Sequence, residues 1–365
     1  MDNNKNFLAV IIFISLIVLV STYKLIASPK TNITKSTKDT RSLSTLEQSF
    51  QQYAFTDDAP PHSLIYPKVL NTQDLYKHNQ RIFVQRNFYP EAYGEIQLRN
   101  ITQLDIKNNN IPIIKLNFSL KGKNYNAYAY GDIKECGNKN VSSALIIPGS
   151  GNNQSYGIFT NDSKNYHYGI LKALDNIDNI LVQIKPNQDA RSWHNGSGKK
   201  INDEFIINWH LSMGGSYSIS YLIESLALIK YIKSCDHKSI LAGLSQGGMA
   251  SLYVSLQSNP TIAIISSGYS ILNEKVVWAG FNQIMGIPNS EVIATPDGFI
   301  NLIKSSSTKF LFTWGKLEKL YYGDEANNKH TGKLLENVPN AFYKIHPLGH
   351  KFPFAEIKQF INDKL

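Results

Sequence analysis

From Ser143 onward, six short runs are almost wholly apolar: "SALIIPGSG", "NILVQIKPN", "KSILAGLS", "TIAIISSGYS", "KFLFTWG" and "AFYKIHPLGH". Side chains alternate between the two faces of a strand, so a run can be apolar at every position only where both faces are buried. That condition belongs to strands inside a parallel sheet covered by helices. The intervening stretches "NYHYGILKALD", "SYSISYLIESLALIKYIKS", "GGMASLYVSLQS", "DGFINLIKSSS" and "ANNKHTGKLLENV" read as helices, and "FAEIKQFINDKL" closes the chain as another. Strands that alternate with helices need right-handed crossovers, which place helices on both faces of the sheet. Upstream, "YGEIQLRNITQLDI" and "IPIIKLNFSLKGKNYNAYAYG" alternate apolar and polar residues and are rich in β-branched ones. They predict antiparallel strands joined by turns. The fold class is therefore α/β, opening antiparallel and continuing parallel.

The N-terminus follows different rules. "FLAVIIFISLIVLV", Phe7 to Val20, is apolar apart from Ser15, and with "STYKLIA" it reaches Ala27, the length of a bilayer-spanning helix. No A-x-A cleavage site follows, which favours an uncleaved signal anchor over a cleaved signal peptide. Lys5 precedes the segment and Lys24, Lys30, Lys35 and Lys38 follow it. Taken literally, that bias keeps the C-terminal side inside, but large domains override the rule and we expect export. The organisation expected is a flank at 1–6, a single-pass anchor at 7–27, a Ser/Thr/Lys-rich linker at 28–58 and one folded domain at 59–365. With 42% hydrophobic residues the chain can supply a sizeable core. The net charge of +9 comes with only 18% charged residues and no basic run, which reads as a solvated surface and not as a nucleic-acid face.

"ILAGLSQGGMAS", Ile240 to Ser251, runs an apolar strand through Ser245 into a helix, with Gly243, Gly247 and Gly248 around the serine. Glycines at these offsets let a strand turn sharply into a helix without Cβ clashes, while the turning residue is forced into a backbone region most side chains resist. The hydroxyl is left on the tip of a G-x-S-x-G elbow. A serine hydroxyl is a poor nucleophile, so it needs a base, and the base needs an acid to hold its tautomer.

With its strand-to-helix context, the elbow resembles that of the α/β-hydrolase superfamily, over about two thirds of the chain from the strands near Ile111 onward. "NWHLSMGGSYSISYLIESLALIKYIKS" followed by "ILAGLSQGG" is similar to the bacterial acetyl-xylan-esterase and dienelactone-hydrolase-like branch. The superfamily's chain order is serine, acid, histidine. The resemblance makes His350 of "HPLGHKF" the base; His346, within the strand, reads as a satisfied packing histidine, and His330 lies in a helix. It makes Glu318 of "FLFTWGKLEKLYYGDE" the acid, where aspartate is commoner, with Asp324 as rival and an exposed helix-start carboxylate as the bland alternative.

The oxyanion would be held by the N–H groups of Gln246 and of Ser150 in "ALIIPGSG". Asp189, Arg191, Trp193 and His194 of "PNQDARSWHNGSG" lie on the rim where such sheets place ligand loops, as substrate contacts or as an internal brace. His210 reads as a brace. Asn273–Pro296 reads as a lid or pocket wall. In the resembled topology the strands after Cys136 and Cys235 are neighbours, so the two cysteines either pair at the sheet edge opposite the site or remain free thiols. No cofactor is expected, since there is no P-loop and no metal-ligand spacing. The function expected is a membrane-tethered serine hydrolase that cleaves a small-molecule or glycan-linked carboxylic ester. The same triad would also serve a peptidase or an acyltransferase, and a non-catalytic binding protein on this scaffold is the reading from another class.

Overall fold

The computed structural model describes residues 96–104, 112–120, 123–188, 217–271, 293, 295–318 and 323–365. The expected anchor and linker, the expected lid apart from Ile293, Thr295 and Pro296, and Asp189, Arg191, Trp193, His194 and His210 lie outside these residues. The chain opens with strands β1 (Gln97–Leu104), β2 (Ile113–Leu120) and β3 (Lys123–Tyr130), then β4 (Ser142–Ile147). Two short helices follow, α1 (Gln154–Phe159) and α2 (Ile170–Ala173), before β5 (Asn179–Gln183) and the long α3 (Tyr217–Ser234). Next come β6 (Lys238–Leu244), α4 (Gln246–Ser258), β7 (Ile262–Ser266) and α5 (Pro296–Ser305). The chain ends with β8 (Lys309–Gly315), α6 (Glu325–Leu335), β9 (Ala341–His346) and α7 (Phe354–Lys364).

The nine strands among the described residues form one sheet in the order β1-β2-β3-β5-β4-β6-β7-β8-β9. The β1–β2, β2–β3 and β3–β5 pairs are antiparallel, and every pair from β5 to β9 is parallel. The predicted switch from antiparallel to parallel is therefore present. Two-sided burial explains the apolar runs residue by residue. On β6, Leu241 belongs to the core that includes residues of α3, α4, α5 and α6, while Ile240, Ala242 and Leu244 belong to the other core, with residues of α1, α2 and α7. On β8, Phe310, Phe312 and Trp314 share one face, with successive ring centroids 6.1 and 6.0 Å apart. The Trp314 indole N–H donates to the Tyr269 carbonyl at 2.7 Å, so that large ring is buried with its one polar atom satisfied.

The stretch from Asn165, expected to be a helix, is helical only over Ile170–Ala173. Gly169 sits at φ 103°, and the Asn165 side chain accepts the His167 N–H at 2.9 Å, so Asn165 to Gly169 are turns. α1 was not foreseen: "QSYGIF" is short, carries Gly157 and has no apolar period. Cys136 and Cys235 form a disulfide at the ends of β4 and β6 where those strands begin. Among the described residues no helix is long and apolar enough to cross a membrane.

Candidate active site

Parallel pairing brings six strand ends to one edge. Ile147 is in register with Gly243, Leu244 with Ser266, Ser266 with Thr313, and Gly315 with His346. The loops that leave these C-terminal ends carry Ser150, Ser245, Ser267, Glu318 and His350, so residues distant in the chain converge there.

Ser245 stands between β6 and α4 with φ 64° and ψ −128°, a backbone region that L residues rarely adopt. Its N–H donates to the Ser266 carbonyl at 3.0 Å, and its carbonyl accepts the Met249 N–H at 3.1 Å. Although Ser245 holds the N-cap position, its side chain makes no capping hydrogen bond. The glycines around it serve close approach. A methyl group on Gly243 would overlap the backbone of Gly247, and one on Gly247 would overlap the Ile147 carbonyl. Gln246 opens α4, so its N–H belongs to the first turn, where amides lack intrahelical acceptors and the helix dipole is positive.

The second half of the site comes from β8 and β9, whose pairing continues into their loops. The Lys316 N–H donates to the His346 carbonyl at 2.7 Å and the Leu317 N–H to the Leu348 carbonyl at 3.2 Å. Gly315 permits this, because a methyl group there would strike the backbone of Leu348 and Gly349. The paired loops bring Glu318 to His350: the His350 Nδ1–H donates to Glu318 Oε2 at 3.0 Å. The Glu318 side chain is fully buried while that of His350 is 27% exposed. The other carboxylate oxygen, Oε1, accepts the Ser267 hydroxyl. With Nδ1 protonated, Nε2 is the basic nitrogen of the neutral ring. The rival Asp324 instead caps α6, accepting the Asn327 N–H at 2.8 Å. His330 lies exposed on α6. His346 is 1% exposed at the end of β9, but neither ring nitrogen has a hydrogen-bond partner, so it is a packing histidine without the satisfaction expected of it.

The loop after β4 is held by residues that sequence reasoning missed. His167 accepts the Gly149 N–H on Nε2 at 2.8 Å and places Nδ1 2.9 Å from Asn165 Oδ1. Burial first, then the charges of Lys185 and His350, hold its pKa well below the usual imidazole value, so the ring is neutral and can accept. Lys185 is fully buried, and its Nζ donates to the Gly149 carbonyl at 2.7 Å and to Gln246 Oε1 at 2.6 Å. Tyr166 stacks on His350 with centroids 5.7 Å apart, and its hydroxyl donates to the Ser150 carbonyl at 3.2 Å. Only the juxtaposition of Asn165, Tyr166 and His167 before Gly169, and a lysine ending an apolar strand, hinted at them. Among the described residues no group of three or more His, Cys, Asp or Glu side chains is placed to hold a metal ion.

This architecture is similar to that of an assigned acetyl xylan esterase of Bacteroides fragilis, at TM-score 0.50 and 11% identity over 87% of this chain and 95% of that one. An acetyl xylan esterase from Paenibacillus sp. R4 is also similar, at TM-score 0.46 and 14% identity over 84% of this chain and all (100%) of that one. The chain has the α/β-hydrolase fold. No family model and no curated protein matches it. On this fold Ser245 stands at the turn from β6 into α4, and Glu318 and His350 follow it in the loops after β8 and β9.

Proposed function

We propose that this chain is a serine hydrolase of carboxylic esters, with Ser245 as nucleophile, His350 as general base and acid, and Glu318 as the orienting carboxylate. The observation that carries the reading is the buried Glu318 carboxylate bonded to His350 Nδ1 beside a strained serine elbow. Acyl transfer on a serine needs a base held by a carboxylate, and this pair supplies both. Ser245 Oγ bonds to the ester carbonyl carbon as its proton passes to His350 Nε2. The carbonyl oxygen becomes an oxyanion, held by the Gln246 and Ser150 N–H groups. Collapse breaks the bond to the leaving alkoxide, which takes the proton from His350, and water then repeats the sequence on the acyl-enzyme.

The Bacteroides fragilis likeness makes acetylated glycans the first substrate class to try, with small aryl esters as reporters. Residues 7–27 tether the protein to a membrane, and 59–365 form an exported hydrolase domain in which Asp189, Arg191 and Trp193 contact substrate. The Cys136–Cys235 disulfide fits an oxidising compartment. The test is labelling of the purified full-length chain by a fluorophosphonate, beside Ser245→Ala and His350→Ala. Labelling lost in both folded variants is the expected result, followed by ester hydrolysis. A folded wild type that neither labels nor hydrolyses esters or peptides overturns the reading in favour of a binding role.

A further inference from the structure

The loop after β4 is held in one orientation by a clamp that neither the elbow nor the triad explains. Each of its three consecutive carbonyls is occupied: Gly149 by Lys185 Nζ at 2.7 Å, Ser150 by the Tyr166 hydroxyl at 3.2 Å and Gly151 by Gln188 Nε2 at 2.6 Å. The Gly149 N–H is itself committed, to His167 Nε2 at 2.8 Å. A trans peptide points its C=O and N–H in opposite directions. Fixing the Gly149 carbonyl on Lys185 therefore turns the Ser150 N–H of the same peptide unit away from the lysine. That N–H donates to no backbone carbonyl among the described residues.

We infer that Lys185 is a positioning residue for the oxyanion hole, its ammonium locking the Gly149–Ser150 peptide to the Gln246 side chain so that the Ser150 and Gln246 N–H groups converge on one point. The inference rests on the reading of Ser245 as nucleophile. Lys185 is two residues past β5, fully buried, with Nζ over the Tyr221 ring at 5.1 Å from its centroid. A buried ammonium is costly unless its surroundings accept from it, and here two oxygens and an aromatic face do so. The Gln246 side chain ties the same cation to the first residue of α4, so the two donor loops share a single anchor. A cation on the Gly149 oxygen also polarises that peptide and strengthens its N–H as a donor, which an apolar filler of the same volume does not do. The benefit appears when the substrate oxygen becomes anionic, so Lys185 acts on the transition state and little on ground-state binding.

The experiment compares the full-length wild type with Lys185→Met and Lys185→Gln, reading kcat and KM on p-nitrophenyl acetate and inhibition by an arylboronic acid, which forms an anionic tetrahedral adduct on serine. For Lys185→Met, kcat is expected to fall by about 10²–10³, the range for removal of one oxyanion donor. KM should stay within about threefold, and boronate affinity should drop in parallel with kcat. Lys185→Gln keeps a neutral donor and should show an intermediate loss; it carries the same test where the methionine variant does not fold. A folded variant with kcat within threefold of wild type, or with boronate binding unchanged while kcat falls, overturns the clamp. A wild type inert to esters and to fluorophosphonate instead removes the nucleophile reading beneath it.

Discussion

Replacing Glu318 by glutamine removes one charge from a buried site at nearly constant volume, and the structure sets the size of the effect. Glu318 Oε2 stands 3.0 Å from His350 Nδ1, and unit charges at that distance attract by about 5 kcal/mol at an effective dielectric of about 20. The attraction is realised when His350 takes the Ser245 proton, so its loss raises the barrier and leaves the ground state nearly untouched. The partial exposure of His350 trims the figure, which leaves an expected fall in kcat of about 10³–10⁴. The glutamine amide would also face Nδ1 with a donor and push the ring proton to Nε2, the wrong tautomer for a base. The assay is steady-state hydrolysis of p-nitrophenyl acetate with the fluorophosphonate labelling rate alongside. Asp324→Ala is the control: it removes the α6 cap and should cost about 1 kcal/mol in urea unfolding with kcat unchanged. Glu318→Gln retaining more than a tenth of wild-type kcat, or Asp324→Ala losing more than tenfold, would refute the assignment.

Three further perturbations test the architecture around the site. Ser245→Gly removes the side chain from φ 64°, ψ −128°, so it should be more stable than Ser245→Ala by about 1–2 kcal/mol in urea unfolding while both are inactive. Cys136 and Cys235 are 99 residues apart and lie at the end of the sheet opposite Ser245. Their paired replacement by serine should cost up to about 4.7 kcal/mol of stability on the chain-entropy model, and kcat measured well below the shifted Tm should be unchanged. His167 and His346 both have pKa values lowered from 6.5, chiefly by burial. The unfolded chain binds protons that the fold refuses, so stability should fall as pH drops below about 6.5, by up to about 1.4 kcal/mol per pH unit for each group until its folded pKa is reached. His346→Leu, which also deletes two unpartnered ring nitrogens, should reduce that slope, as read from urea midpoints between pH 7.5 and pH 5.

Much of this was legible because burial on both faces leaves a local record. β4 to β9 all fall on the apolar runs, and the elbow glycines are required by contacts within three strands of the sheet. The placement of Glu318 at this edge was legible, because only two residues separate it from Gly315 at the end of β8. What stayed hidden is of one kind. Lys185, His167, Tyr166 and Ser267 act through hydrogen bonds or ring contacts to loops 16 to 184 residues away, as in the Tyr166 hydroxyl on Ser150 and the Tyr166 ring on His350. A lysine after a strand has the local signature of a solvated end, and its burial becomes evident only when the Gly149 carbonyl and Gln246 are brought to it by the parallel register. Local pattern therefore specifies where the chain turns, and sheet registration decides which turns meet. The loop carbonyls of Gly149, Ser150 and Gly151 show the consequence: each is claimed by a side chain from beyond its own element, so the orientation of that loop is a property of the whole edge and not of "PGSG" alone.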